Sequence, residues 1–254
     1  MRASGSRPER PVSRRSRAPL AGKRAVRVWD GPTRLFKWLL VVTILVGYVT
    51  YRGGDATVDL HIRNGYAALI LVVFRVIWGF AGSSTARFRT WLTWPWRALA
   101  YGGVLLAGRS RSYLGHNPLG GWMIVALLLL VAAQAISGLF AADSNGIYGG
   151  PFANLDFGDP TPAQRTLSRW HRLGFYVLLG FAALHVVANV FYEGVKKDPL
   201  IRAMVTGRKP AGDYADEPEM VPVPHVWFRA AICLAVAATL VLGTVRLFGG
   251  KLPF

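Results

Sequence analysis

The sequence contains a single cysteine, Cys233, and this scarcity narrows the chemistry that the chain can carry out. One cysteine cannot form a disulfide within the chain, and it cannot supply the ligands of a zinc–thiolate or iron–sulfur centre. Cys233 lies inside an apolar stretch, where a lone thiol usually serves as a small packing residue. Any metal chemistry therefore depends on other side chains.

Acidic residues are also few, since 13 Asp and Glu stand against 30 Lys and Arg, for a net charge of +17. Such a balance can indicate a protein that binds nucleic acid. Here the basic residues lie between apolar runs, and no RNA- or DNA-binding motif accompanies them. Hydrophobic residues make up 52% of the chain. We therefore expect a membrane protein in contact with lipid, with no nucleic-acid partner.

Five apolar runs follow a basic N-terminal segment. Residues 1–27 are rich in Arg, Pro, Ser and Ala, which predicts a disordered tail without the apolar core of a secretory signal. Each later run is close to the length of about 20 residues that spans a bilayer. The runs cover residues 35–51, 60–80, 119–141, 171–191 and 226–248. The sequence thus predicts an all-α integral membrane protein with five spans.

The basic residues are distributed unevenly between the two ends of these spans. Residues 1–38, 82–118 and 193–225 carry 21 Lys and Arg, whereas residues 52–63, 142–172 and 249–254 carry six. The positive-inside rule therefore places the N-terminus in the cytoplasm and the C-terminus on the outer side of the membrane. The outer segment 143–162, rich in Gly, Pro, Asn and Asp, is a candidate docking surface.

An aromatic segment lies between the second and third spans. There Trp91, Trp94, Trp96 and Tyr101 alternate with apolar residues. This pattern is typical of an amphipathic segment at the membrane interface, on the cytoplasmic side, because aromatic rings prefer that region. An ordinary loop is the alternative.

Two histidines, His171 and His185, lie 14 residues apart in the fourth run. Fourteen residues are close to four helical turns, so both imidazoles leave one face, about 21 Å apart along the axis. Ionisable residues inside membrane helices usually have a function. This spacing favours two haems, one near each surface. His61 opens the second run at the level of His171, and two imidazoles at one depth can occupy both axial positions of a haem iron.

His185 needs a partner near the cytoplasmic end of another span. The candidates at that depth are Lys37, early in the first span, and His116, just before the third. The alternative for each histidine is a hydrogen bond to a neighbouring helix, without a metal. A non-haem metal site is disfavoured because the histidines lie at two depths.

Several motifs follow one another in order along residues 26–210. They are VWDGPTRLFKW at 28–38, LH at 60–61, GY at 65–66, FR at 74–75, WGF at 78–80, GHNPLG at 115–120, WH at 170–171, LH at 184–185 and TGRK at 206–209. Together they resemble bacterial di-haem cytochromes b of the cytochrome b561 and nickel–iron hydrogenase type. The fifth span lies outside this match.

The resemblance implies a four-helix membrane bundle that binds two b haems and exchanges electrons with quinol or quinone. It implies that His61 and His171 ligate an outer haem and that His185 ligates an inner one. The family's second inner ligand is a histidine in the first span, where this sequence has Lys37. The expected organisation is a tail over 1–27, a cytochrome b-type domain over 28–210, and a linker with the fifth helix over 211–254.

The substitution at Lys37 leaves three arrangements open. A lysine amine that burial has deprotonated can ligate iron. Alternatively Lys37 extends to the surface and pairs with a haem propionate or a lipid phosphate, so that the inner haem is five-coordinate or missing. The third is a different arrangement of ligands. Arg34, Arg75 and His116 are candidate partners of haem propionates, with lipid headgroups as the alternative.

The sequence as a whole predicts a membrane b-type cytochrome. It would transfer electrons between the quinone pool and an outer-face partner, which could be a c-type cytochrome, a dehydrogenase or a hydrogenase. Two alternatives are a stand-alone superoxide:quinone oxidoreductase and a haem-poor anchor subunit of a redox complex. The sequence shows no recognisable nucleophile, general acid or nucleotide-binding loop.

Overall fold

The structure is a computed structural model that describes residues 24–143, 147–153 and 160–252. Over these residues the chain is predominantly helical. The helices are α1 (Gly31–Arg52), α2 (Val58–Ala81), α3 (Phe88–Trp91), α4 (Pro95–Leu106), α5 (Pro118–Gly138), α6 (Pro162–Gly194), α7 (Leu200–Thr206) and α8 (Val226–Leu247). Two short strands, β1 (Ala25–Arg27) and β2 (Arg208–Pro210), pair antiparallel. Turns of 3₁₀ helix cover Gly54–Thr57 and Ser84–Ala86.

Five of these helices are long and apolar enough to cross a membrane: α1, α2 with its preceding 3₁₀ turn, α5, α6 and α8. The prediction of an all-α, multi-pass membrane protein is confirmed. We refer to the side of the membrane at which α1 begins as the N-terminal side. The opposite side is the C-terminal side. With five spans, α8 ends on the C-terminal side.

The start of α6 differs from the sequence-based expectation. His171 was expected to open this helix, but α6 begins nine residues earlier, at Pro162. Thr161 caps it, because its hydroxyl accepts from the backbone N–H of Gln164 while the Gln164 side chain accepts from the N–H of Thr161. This capping box is polar, so a hydropathy pattern does not include it in the span. His171 therefore lies in the third turn.

Two of the motifs found in the sequence are helix starts. Asp30 Oδ1 accepts a 2.8 Å hydrogen bond from the backbone N–H of Thr33 and caps α1. Asn117 Oδ1 accepts a 2.7 Å bond from Gly120 and caps α5. The second Asp30 oxygen accepts from the N–H of Ser83, just after α2. One carboxylate thus holds the N-terminal-side ends of α1 and α2 together.

Most of the packing between spans involves α2. Helix α1 packs against α2, α2 against α5, and α5 against α6, while α8 lies against α2 and α1. Small residues of α8, including Ala230, Cys233 and Ala237, join Phe74 and Trp78 of α2 in one buried cluster. Cys233 therefore has the packing role that its surroundings suggested.

The N-terminal side carries a compact cap, which we define as residues 24–30, 111–116 and 198–214. Its strands pair Val26 with Lys209, and its buried cluster includes Trp29, Leu114 and Ala203. Strand β1 comprises the last three residues of the segment expected to be a tail. Residues 1–23 of that segment lie outside the described residues.

An ion pair stabilises the cap from inside. Lys209 is only 1% exposed, and its Nζ lies 2.7 Å from Asp198 Oδ1 while donating a 2.9 Å bond to the carbonyl of Tyr113. Burial lowers the pKa of Lys209, and the neighbouring Asp198 carboxylate raises it. This pair joins the chain after α6 to β2 and to the loop before α5.

The aromatic segment between the second and third spans is helical and has two faces. Trp91 and Tyr101 are buried, whereas the stacked rings of Trp94 and Trp96 are exposed together with Leu99. An exposed apolar face beside a membrane bundle suits the predicted interfacial position. Contact of α3 and α4 with lipid stays a prediction.

We expect Lys209→Met to lower the apparent melting temperature of the detergent-purified protein. Removal of one partner of a buried ion pair costs about 3–5 kcal/mol, because the other charge remains buried. The double variant Lys209→Met/Asp198→Leu should recover most of the loss. Arg111→Met, which breaks the exposed pair with Asp213, is the control and should change little. A single variant as stable as the wild type would contradict this role.

Candidate functional site

His61 and His171 face each other near the C-terminal side of the bundle. The centroids of their rings are 6.1 Å apart, and the ring planes are nearly perpendicular, at 84°. His61 belongs to the first turn of α2 and His171 to the third turn of α6. The structure thus brings together the two histidines that the sequence placed at one depth.

Hydrogen bonds at Nδ1 fix the orientation of both rings. The Thr50 hydroxyl lies 2.9 Å from His61 Nδ1 and donates its own proton to the carbonyl of Val46, so it accepts from the imidazole. His171 Nδ1 lies 3.0 Å from the carbonyl of Gln134 and 3.1 Å from the Ser137 hydroxyl. A proton on each Nδ1 leaves the lone pair on each Nε2, which is the usual state of a histidine that ligates a metal.

The separation of the two rings suits one metal ion between them. A metal ion bonds an imidazole nitrogen at about 2 Å, so two such bonds in line separate the ring centroids by about 6 Å. The Gln134 side-chain amide lies 3.3 Å from His171 Nε2, a long contact that a metal bond would replace. Within the described residues, no group of three or more His, Cys, Asp and Glu could hold a metal. The pair therefore suits an ion whose other ligands come from a cofactor.

A cavity of about 580 Å³ adjoins the two imidazoles. Its volume falls within the range of about 300–1,000 Å³ that is typical of cofactor and ligand sites. Helices α1, α2, α5 and α6 all line it, and several of the lining residues are small. These small residues are Gly47, Gly65, Ala68, Ala135 and Gly138. The walls are thus mostly apolar and leave room for a flat macrocycle such as haem.

Gly138 sets the distance between α5 and α6 at this site. A Cβ added at this position would lie 2.9 Å from His171 Cε1, which is closer than real side chains approach. Only glycine therefore lets the end of α5 pass beside the ring. His171 is in this way packed against a helix backbone as well as hydrogen-bonded to it.

Charged and polar residues also line the cavity on the C-terminal side. They include Asp55, Asp143, Tyr148 and Arg172. The Asp143 carboxylate accepts hydrogen bonds from the backbone N–H groups of Ile147 and Tyr148, which keeps these two residues beside Asp143. Arg172 was not singled out from the sequence, although it directly follows His171.

His185 lies at the second level, near the N-terminal side. Because α6 is continuous, its position is about 21 Å from His171 along the helix. Val72, Val131 and Leu178 pack together between the two levels. The His185 Nε2 atom accepts a 3.1 Å hydrogen bond from the Asn189 side chain, one turn further along the same helix.

Lys37 contacts the cap, and His116 is part of it. The Lys37 Nζ atom lies 3.2 Å from Met204 Sδ and 3.8 Å from the centre of the Trp29 ring. The His116 ring lies 4.9 Å from Trp29 and 5.2 Å from Trp91. Burial, and then the positive charge of Lys37, lower the pKa of His116 well below its ordinary value.

The two arginines proposed to bind propionates lie on the same side. Arg75 is 2% exposed, donates a 3.1 Å bond to the carbonyl of Ala86 and lies over the ring of Phe88. Arg34 donates to the carbonyl of Val205. Each has one buried guanidinium nitrogen with no hydrogen-bond partner in the described part of the chain. Propionate binding by Arg34, Arg75 or His116 stays a prediction that requires a haem on this side.

The residues that hold the histidines in place were not predicted from the sequence. They are Thr50, Gln134, Ser137 and Asn189, which contact the rings through side chains or a backbone carbonyl. A signal was present, because each is a polar residue within an apolar span, where such residues usually bond to a neighbouring helix. For Thr50, Gln134 and Ser137, the histidine that each contacts depends on helix rotation, which the sequence does not specify, whereas Asn189 lies one turn from His185 on the same helix.

The comparisons with known proteins agree with the resemblance seen in the sequence. A family described as prokaryotic cytochrome b561 matches residues 28–207. Probable Ni/Fe-hydrogenase B-type cytochrome subunits are similar to the chain. The one from Azotobacter chroococcum mcd 1 is 28% identical over 72% of this chain and 88% of its own length. Those from Rhizobium leguminosarum bv. viciae and Escherichia coli K12 are each 25% identical, over 76% and 71% of this chain and 92% and 88% of their own. No solved structure matches significantly. The chain belongs to the prokaryotic cytochrome b561 family.

Proposed function

We propose that this chain binds a b haem between His61 and His171 and carries electrons between the quinone pool and a redox partner at the outer face of the membrane. The family implies a b-type haem and membrane electron transfer. The observation that supports this proposal most directly is the pair of imidazoles, 6.1 Å apart beside a cavity of about 580 Å³. A bound haem would supply reversible one-electron chemistry, tuned by its ligands and its burial.

The residues of the chain would bind, orient and shield the cofactor. Thr50 and the Gln134 carbonyl hold the Nδ1 protons, which fixes the rings and makes Nε2 a stronger donor. The small residues lining the cavity leave space for a ring, and the apolar ones exclude water. Arg172 provides a cation at the cavity where haem carboxylates would need one.

The proposed partner lies on the C-terminal side. Lys and Arg are concentrated in the segments of the N-terminal side, so the positive-inside rule makes the C-terminal side periplasmic. The cavity with its two histidines is near that side, and Asp55 and Asp143 line it. Similar proteins are described as cytochrome subunits of Ni/Fe hydrogenases, so a hydrogenase is the first partner to test. A dehydrogenase or a c-type cytochrome is the alternative.

A quinone could reach the same site from within the bilayer. A smaller cavity of about 30 Å³ borders His61 and His171, and Tyr51 and Tyr176 also line it. Both tyrosines are exposed on the outside of the bundle, which lipid would surround. The aromatic surface beside the histidines is therefore accessible to an apolar, lipid-dissolved electron carrier.

The first test is haem binding by the detergent-purified chain, expressed with ample haem supply. We expect the wild type to bind b haem and His61→Ala and His171→Ala to lose it, because each removes one of the two imidazoles that would hold the haem. The pyridine haemochrome gives haem per chain, and a reduced-minus-oxidised spectrum identifies the cytochrome. His225→Ala, at the exposed start of α8, is the matched control and should keep the haem.

The same sample tests electron exchange with quinone. A short-chain quinol should reduce the bound haem of the wild type. A wild type without haem would contradict the cytochrome proposal. Haem that dithionite reduces but quinol does not would contradict only the quinone part.

The Thr50 hydroxyl provides a subtler test. Thr50→Val keeps the shape of the side chain but removes the acceptor for His61 Nδ1, whereas Thr50→Ser retains it. Loss of such a partner weakens metal binding about 10–100-fold. We expect this weakening for Thr50→Val in a hemin titration of the apoprotein, with Thr50→Ser close to the wild type. Equal affinities for all three would mean that Thr50 does not orient the ligand.

The single cysteine makes the proposed orientation easy to test. With Cys233 replaced by Ala, Lys251→Cys should react with a membrane-impermeant maleimide in intact spheroplasts. Asp213→Cys, on an exposed side chain of the N-terminal side, should react only after permeabilisation. The reverse labelling pattern would place the histidine cavity near the cytoplasm and contradict a periplasmic partner.

A further inference from the structure

We infer that this chain holds one haem rather than two, because the candidate ligands at the second level, that of His185, are engaged with other side chains. This inference rests on the proposed haem at His61 and His171. We define the inner cluster as Trp29, Lys37, Trp91, His116 and Met204. It lies on the N-terminal side, where the family resemblance implies a second haem.

The Lys37 amine is already engaged by the cap. Its Nζ lies over the face of the Trp29 indole, 3.8 Å from the ring centre, and 3.2 Å from the sulfur of Met204. The amine thus contacts two residues of the cap, one through an aromatic face and one through a sulfur atom. Side chains on a helix lean toward its N-terminus, and Lys37 lies two turns from the start of α1. The side chain is therefore directed back into the cap rather than across the bundle.

Aromatic rings occupy the space beside the amine. His116 lies between Trp29 and Trp91, with ring centroids 4.9 Å and 5.2 Å away. Both tryptophans are buried. The three rings belong to different parts of the chain, which are the segment before α1, helix α3 and the turn before α5. A macrocycle at this level would have to displace this packing, together with the contact between Lys37 and Met204.

His185 has a partner within its own helix. The Asn189 amide donates to His185 Nε2 at 3.1 Å and to the His185 carbonyl at 2.8 Å. The nitrogen that would bond a metal is thus satisfied locally. At the other level both Nδ1 atoms are hydrogen-bonded, at 2.9 and 3.0 Å, and the Gln134 amide that contacts His171 Nε2 at 3.3 Å belongs to a different helix.

The donor sets at the two levels therefore differ. At the first level two imidazoles are 6.1 Å apart and border a cavity of about 580 Å³. At the second level the residues do not fit a haem with two protein ligands, because Lys37, His116 and His185 contact other groups. Val72, Val131 and Leu178 separate the levels with a packed apolar layer.

A single haem would confine electron transfer to the C-terminal half of the membrane. The position of His185 is about 21 Å away from that of His171 along α6. The quinone and the partner would both have to meet the one haem, without a second cofactor as a relay across the bilayer. The inner cluster would then have a structural role, holding the cap on α1.

The experiment is a hemin titration of the full-length apoprotein in detergent, followed at the Soret band to saturation. The wild type should saturate at one haem per chain. His185→Ala and Lys37→Ala should keep that endpoint and the same reduced-minus-oxidised and low-spin EPR spectra. His61→Ala should lose most of the binding. Size-exclusion chromatography checks that each variant is folded and monodisperse.

The outcomes separate this inference from the proposed function. An endpoint of two haems in the wild type would overturn the inference and leave the cytochrome proposal standing. So would the loss of a haem, or of a low-spin signal, in folded His185→Ala or Lys37→Ala. No haem binding by the wild type would remove the cytochrome proposal itself.

Discussion

The histidines inside this bundle depend on the chain itself for hydrogen-bond partners, because the hydrocarbon core of a membrane offers none. The histidines meet this requirement in two ways. His61 and His171 use Thr50 and the Gln134 carbonyl to satisfy Nδ1, and their rings adjoin a cavity. His185 uses Asn189, one turn away, to satisfy Nε2. The same residue type is thus held through Nδ1 beside a cavity at one level and through Nε2 by its own helix at the other.

The bundle could be predicted from the sequence because its strongest signals are local. Each span is a run of apolar residues, and the positions of His61 and His171 follow from counting helical turns. The start of α6 could not be found in this way, because Thr161 and Gln164 begin the helix with polar side chains. Hydropathy reports which residues suit lipid, whereas the capping box reports where the helix begins.

Contacts between helices could not be predicted by counting helical turns. Thr50 and Gln134 are ordinary polar residues until the rotation of α1 and α5 brings them to the histidine rings. The motifs that resemble di-haem cytochromes include Asp30 and Asn117, and both of these residues cap helices. Such a motif can therefore be present because its residues cap helices, even in a chain that has a lysine at the ligand position of the first span. Resemblance in this region is better support for the fold than for an inner haem.

The close packing of Gly138 against His171 has a consequence for the speed of electron transfer. The ring touches the α5 backbone on one side and is hydrogen-bonded through Nδ1 on another, so it cannot turn without moving the helix. Groups that are preorganised in this way need little rearrangement when a nearby charge changes. A cofactor bound there would have a low reorganisation energy, so modest differences in potential would suffice to drive electrons through it.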